Sequence, residues 1–68
     1  MAQYQLVEKS DIQHHNEYYE LRTTQTESPR SLFFTTNEEN LEEVAAEIVS
    51  NELSGVAHYT VIPHRKDS

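Results

Sequence analysis

The segment NEENLEEVAAEIVSNELSG (37–55) carries Glu38, Glu39, Glu42, Glu43, Glu47 and Glu52, half of the chain's 12 acidic residues. No lysine or arginine stands anywhere between positions 31 and 64. Glu39, Glu43 and Glu47 follow one another at i, i+4 spacing, where like charges on a helix cost about 0.2–0.5 kcal/mol per pair. A lysine at any of these sites would reverse that sign. The early glutamates suit the positive end of a helix dipole, whereas Glu47 and Glu52 fall near the negative end. One reading is a solvent coat that keeps a small protein dissolved. The other is a recognition surface: carboxylates on a rigid helix present the charge of a phosphate track to a basic, nucleic-acid-binding groove. Such a surface steers association and makes it salt-sensitive. Glu39, Glu42, Glu43 and Glu47 are the candidate contact residues.

The remaining polar side chains point to little chemistry. His14 and His15 are adjacent beside Asp11, and His58 and His64 stand far along the chain. No HxH, HxxxH or HExxH spacing joins them, and a metal site needs three or four converging ligands. No metal or cofactor is expected. The serines lack any flanking nucleophile motif, and a single glycine cannot build a phosphate-binding loop. A domain this small leaves little room for a substrate pocket of the usual ~300–1,000 Å³. Enzymatic function is not expected.

Aromatic residues offer a second candidate surface. Tyr18, Arg22 and Phe33 could form a base-stacking platform, with Arg30, Arg65 and Lys66 supplying positive charge. The net charge of -7 opposes that use. Ordinary cross-strand packing is the simpler account of these rings. A variant has Tyr18, Phe33 and Thr60 forming an apolar face for dimerisation or partner docking.

These residues must be positioned by a chain of 68 residues with no cysteine. That length sustains one domain (1–68), near the lower limit for folding unaided. Apolar periodicity changes twice. Strand-like alternation covers QYQLVEK (3–9), EYYELRTT (17–24) and SLFFTT (31–36), helical periodicity covers 37–53, and VAHYTVIP (56–63) is strand-like again. Polar turns at 10–16 and 25–31 join the first three strands at hairpin distance, predicting an antiparallel meander. Thr36 with Glu39 fits a capping box, and Gly55 fits a helix stop. Leu41, Val44, Ala45 and Ile48 share one stripe, while Glu52 falls on the same side and does not fit it.

The expected fold is therefore α+β, in the order β-β-β-α-β, with one amphipathic helix packed on one sheet face. A right-handed crossover should make strand 4 parallel to strand 3 or strand 1. The expected core is Leu6, Tyr19, Leu21, Phe34, Leu41, Val44, Ala45, Ile48, Tyr59 and Val61, and residues 64–68 are expected to fray.

No apolar run approaches the roughly 20 residues that span a bilayer. The N-terminus lacks the features of a signal peptide, so the cytoplasm is the expected compartment. The element order resembles that of several small phage-encoded proteins that bind and inhibit host machinery. The resemblance covers layout only, with no shared motif. It implies a compact, acidic, non-enzymatic inhibitor whose partner is a protein with a basic surface rather than nucleic acid or membrane. The alternative is a homo-oligomeric structural or regulatory subunit, in the simplest case a homodimer, that associates through its sheet face or an edge strand.

Overall fold

A computed structural model describes residues 2–66. The elements run β1 (Gln5–Val7), a 3-10 turn (Lys9–His14), β2 (Glu17–Thr23), β3 (Ser31–Thr35), α1 (Leu41–Glu52) and β4 (Tyr59–Arg65). The α+β class and the β-β-β-α-β order stand as expected. All pairings in the 4-stranded sheet are antiparallel, in the order β1-β3-β2-β4. β2 and β3 form one hairpin of the expected meander; the other is not made, since β1 pairs with the far side of β3 and not with β2.

Strand 4 lies beside β2 rather than beside strand 1 or strand 3. Because β2 is antiparallel to both β3 and β4, those two run in the same direction with β2 between them. The parallel relation of strands 3 and 4 is thus met in direction but not in contact. β1 and β2 likewise run in the same direction, with β3 between them. Both connections step the same way across the sheet but leave from strands of opposite direction. The right-handed preference of crossovers then assigns them to opposite faces, α1 to one and the 3-10 turn to the other. The 3-10 turn buries no residue of its own; on the face away from α1, Val7 is 9% exposed and Glu20 only 5%.

The core is Leu21, Phe34, Val44, Ala45, Ile48 and Leu53, with Tyr4, Tyr19, Leu32, Val49, Val56, Tyr59 and Val61 packed around it. Leu6 departs from expectation. It pairs with Phe34 and shares its face of the sheet, but it stands on the edge strand β1 and is 41% exposed. Leu41 is half-buried, near the start of the helix.

Helix boundaries explain two further differences. The N-cap is Asn40, whose Oδ1 accepts from the Glu43 N–H at 3.2 Å. Thr36 instead donates to the Gln3 carbonyl at 2.6 Å and accepts from the Glu38 N–H at 3.0 Å, tying the strand exit to the N-terminal segment. Glu39 therefore precedes the helix. At the other end Glu52 is the last helical residue, so its place on the apolar stripe carries no burial. Leu53 turns back into the core, and the Val56 N–H reaches the Leu53 carbonyl at 3.1 Å. Gly55 is the third residue of that turn, with φ +91, a backbone region that favours glycine.

β4 does not stop at Pro63 but continues to Arg65, so His64 and Arg65 belong to the sheet rather than to a frayed tail. Residues 67 and 68 lie outside the described residues. Bonds at both ends of the ladder fix its phase: Thr24 N–H to the His58 carbonyl at 2.9 Å and Lys66 N–H to the Asn16 carbonyl at 2.8 Å. Even-numbered residues of β4 thus bond to β2, and odd-numbered ones face outward. Pro63 occupies an outward position, where its missing N–H costs no ladder bond. Ile62→Pro, by contrast, removes a ladder bond to β2 and leaves its acceptor unpaired, which should cost about 1–3 kcal/mol, a large part of the stability of a domain this size. Urea melts should show Ile62→Pro strongly destabilised and Pro63→Ala within about 1 kcal/mol of the native chain. Equal effects of the two would contradict this phase.

Candidate interaction surfaces

The outer side of α1 carries glutamates around exposed Ala46 and Ser50, and more glutamates precede the helix. Glu38, Glu39, Glu42, Glu43 and Glu52 are exposed and Glu47 is half-buried. Among the described residues the ion pairs are Arg22–Glu20, His64–Glu20 and Arg65–Glu17, so no cation neutralises these six carboxylates. Glu38 accepts only a 3.4 Å bond from the Gln3 N–H.

With the helix beginning at Leu41, the expected row of Glu39, Glu43 and Glu47 shortens to one helical i, i+4 pair, Glu43–Glu47. At about 100° per residue, Glu42 and Glu47 flank the buried stripe on opposite sides and Glu43 lies between them on the outside. The carboxylates therefore spread over the outer half of the helix rather than along one line.

Tyr18 and Phe33 lie together, but on the other face of the sheet. Alternation sends Tyr19, Leu21 and Phe34 toward α1 and Tyr18, Glu20 and Phe33 away from it. Tyr18 meets Phe33 edge-on at 5.9 Å between ring centroids and stacks on His64 at 4.9 Å. Both residues are half-buried, and Thr60 on the same face is exposed. The six sequence candidates thus divide between two surfaces separated by the thickness of the sheet.

Between the aromatics lies a feature that sequence reasoning missed. Glu20 is 5% exposed and its carboxylate is fully occupied. One oxygen accepts from Ser31 Oγ at 2.7 Å and from Arg22 Nε at 3.0 Å, and the other is 3.0 Å from His64 Nε2. An ionised carboxylate can only accept, so the His64 Nε2 carries the proton. Burial pushes the Glu20 pKa up, but hydrogen bonds from Ser31, His64 and Arg22 and the Arg22 charge outweigh it. The group titrates below its ordinary 4.5. The donors come from three strands, so strand alternation showed only which face Glu20 takes. This arrangement places a hydrogen-bonded polar cluster rimmed by aromatics on the face where the docking variant has an apolar patch of Tyr18, Phe33 and Thr60.

A third surface is a groove of about 860 Å³ beside α1, lined by Leu41, Ala45, Tyr59, Val61 and Pro63, with Glu42 on its helix wall. His58 is exposed at the groove, while His14 lies in the 3-10 turn and His15 follows it. Among the described residues no cluster of three or more His, Asp or Glu side chains is placed to hold a metal ion. No helix there is long and apolar enough to cross a membrane. Compared with protein families, with curated proteins and with solved structures, the chain matches none.

The Glu20 cluster has a signed pH dependence. Its folded pKa lies below the unfolded value, so the stability it contributes is complete above about pH 4.5 and is lost as pH falls through the folded value. Glu20→Gln should be less stable than the native chain near neutrality, by about 1–3 kcal/mol. Its stability should then decline less between about pH 4.5 and about pH 3. Parallel decline of the two proteins in thermal melts would show that Glu20 carries no such linkage.

Proposed function

We propose that this protein is a small acidic interaction module, not an enzyme, that docks the carboxylate-bearing side of α1 on a basic, nucleic-acid-binding surface of another protein. In the form suggested by the element order, it is a phage or mobile-element inhibitor that occupies its target's binding site as a nucleic-acid mimic and works in the cytoplasm. The observation that carries this reading is the absence, among the described residues, of any cation paired with the glutamates of 38–52. The buried stripe of α1 fixes the helix to the sheet, so its carboxylates are held outward. Glu42 and Glu43 suit the positive end of the helix dipole, but Glu47 repels Glu43 at i, i+4 and, like Glu52, opposes the C-terminal end, so these two bring the free chain no stability. A cationic surface turns the same charges into attraction. Glu42, Glu43 and Glu47 supply the helical part of that surface and Glu39 extends it before the N-cap.

The free outer edge of β4 favours a second reading, a homo-oligomeric subunit joined edge to edge. Sedimentation at micromolar concentration separates the two, since a strict monomer ends the second.

Reversing three charges tests the first. Glu39→Lys, Glu43→Lys and Glu47→Lys together leave the core untouched, so circular dichroism and the melting temperature should stay close to native. Affinity for the partner captured from the source cell should fall by at least about tenfold. Added heparin should compete with the native protein for that partner, and binding should weaken from low to high salt. Unchanged affinity in the triple variant would reduce the glutamates to a solvent coat.

A further inference from the structure

The two flanks of α1 are closed differently. On the β1 side, Ala2 and Tyr4 pack against the core and the Asn51 side chain donates to the Tyr4 hydroxyl at 3.1 Å. On the β4 side the groove remains, bounded by Leu41, Glu42 and Ala45 of the helix and by Tyr59, Val61 and Pro63 of the strand.

β4 is also the last strand of the sheet on that side. Its outward-facing backbone comprises the N–H groups of Tyr59, Val61 and Arg65 and the carbonyls of Tyr59, Val61, Pro63 and Arg65. Pro63 breaks the row of donors, which leaves Tyr59–Val61 as the stretch with donors and acceptors in regular alternation. A strand added there would lie about 4.8 Å outboard. Every second side chain would then point to the helix side, into the groove.

We propose that an extended, lysine- or arginine-bearing segment of a partner adds to the outer edge of β4 as a fifth strand, with alternate side chains seated in the groove beside α1. Main-chain bonds to Tyr59 and Val61 supply affinity, and the groove reads the side chains, as in other cases of strand addition. Charge selects the occupant. The groove lining holds no lysine or arginine, Glu42 on its wall is exposed and unpaired, and the chain as a whole carries -7. Of the lysines and arginines described at this edge, Arg65 is engaged by Glu17 at 2.7 Å and Lys66 donates to the Ile12 carbonyl at 2.9 Å. A second copy would bring a second Glu42 and the same net charge, so it is the poorer fit. Only the charge of the occupant rests on the acidic-module reading; the edge and groove stand apart from it.

The probe is a capped eight-residue peptide alternating lysine and valine, added at millimolar concentration to the full-length, isotope-labelled protein. Its control is the same peptide with alternate backbone nitrogens methylated, which keeps the charge and removes strand pairing. Amide exchange at Tyr59 and Val61 should slow, and resonances of Leu41 and Ala45 should shift. The methylated peptide should bind at least about tenfold more weakly, and Glu42→Gln should weaken the parent peptide about two- to fivefold.

Absence of binding, equal binding of the two peptides, or binding without protection at Tyr59 and Val61 would overturn the proposal. Concentration-dependent protection of those amides without peptide would make a second copy the occupant and overturn it as well. The charge-reversal triple variant keeps the two readings apart. If it loses the captured partner while Tyr59 and Val61 stay unprotected in the native complex, the acidic surface stands and the edge proposal falls. If it keeps the partner and these amides are protected, the reverse holds.

Discussion

β2 is paired on both sides, and the alternation of its side chains decides what each face of the molecule can be. Leu21, fully buried, meets Phe34 and the helix residues Val44, Ala45 and Ile48. Its neighbour Glu20 points the other way and gathers Ser31, Arg22 and His64. A slip of one residue would exchange these two, placing a carboxylate under the helix and a leucine among the polar donors. Register is therefore strongly specified at the centre of the sheet, and the outer strands inherit it.

From that register the surfaces follow in turn. Packing of Val44, Ala45 and Ile48 on the sheet leaves the opposite side of α1 to Glu42, Glu43 and Glu47. The bonding phase of β2 sends the even residues of β4 inward and leaves Tyr59, Val61 and Pro63 facing outward. The Ala2–Tyr4 segment closes one flank of the helix and leaves the other as a groove. Acidic surface, free edge and groove thus adjoin on one side of the molecule. The Tyr18–Phe33–His64 cluster sits on the other, where it shields Glu20 rather than offering bare apolar area.

Much of the frame was legible because it rests on local periodicity. Leu21, Phe34, Val44, Ala45 and Ile48 lie where alternation and the helical stripe place them. What was not legible depends on partners distant in sequence. Leu6 has the right parity for the core but stands on an edge strand, and Leu53 is buried only because the chain leaves the helix at that point. Asn40 outcompetes Thr36 as the cap because Thr36 is held by Gln3, 33 residues away. Pro63 reads as a terminator until the edge position of β4 is known. Of the candidate contacts, the carboxylates were visible as a charge bias, whereas the groove and the buried Glu20 arise from tertiary placement alone.

The most direct measurement is native-state amide hydrogen exchange of the protein alone, residue by residue along β4. Thr60, Ile62 and His64, bonded to β2, should exchange slowly together with the amides of β2, while Tyr59, Val61 and Arg65 should exchange quickly. Uniform protection along β4 that persists on dilution, or fast exchange of the even-numbered amides with protection of the odd-numbered ones instead, would contradict the register from which the acidic surface, the edge and the groove all follow.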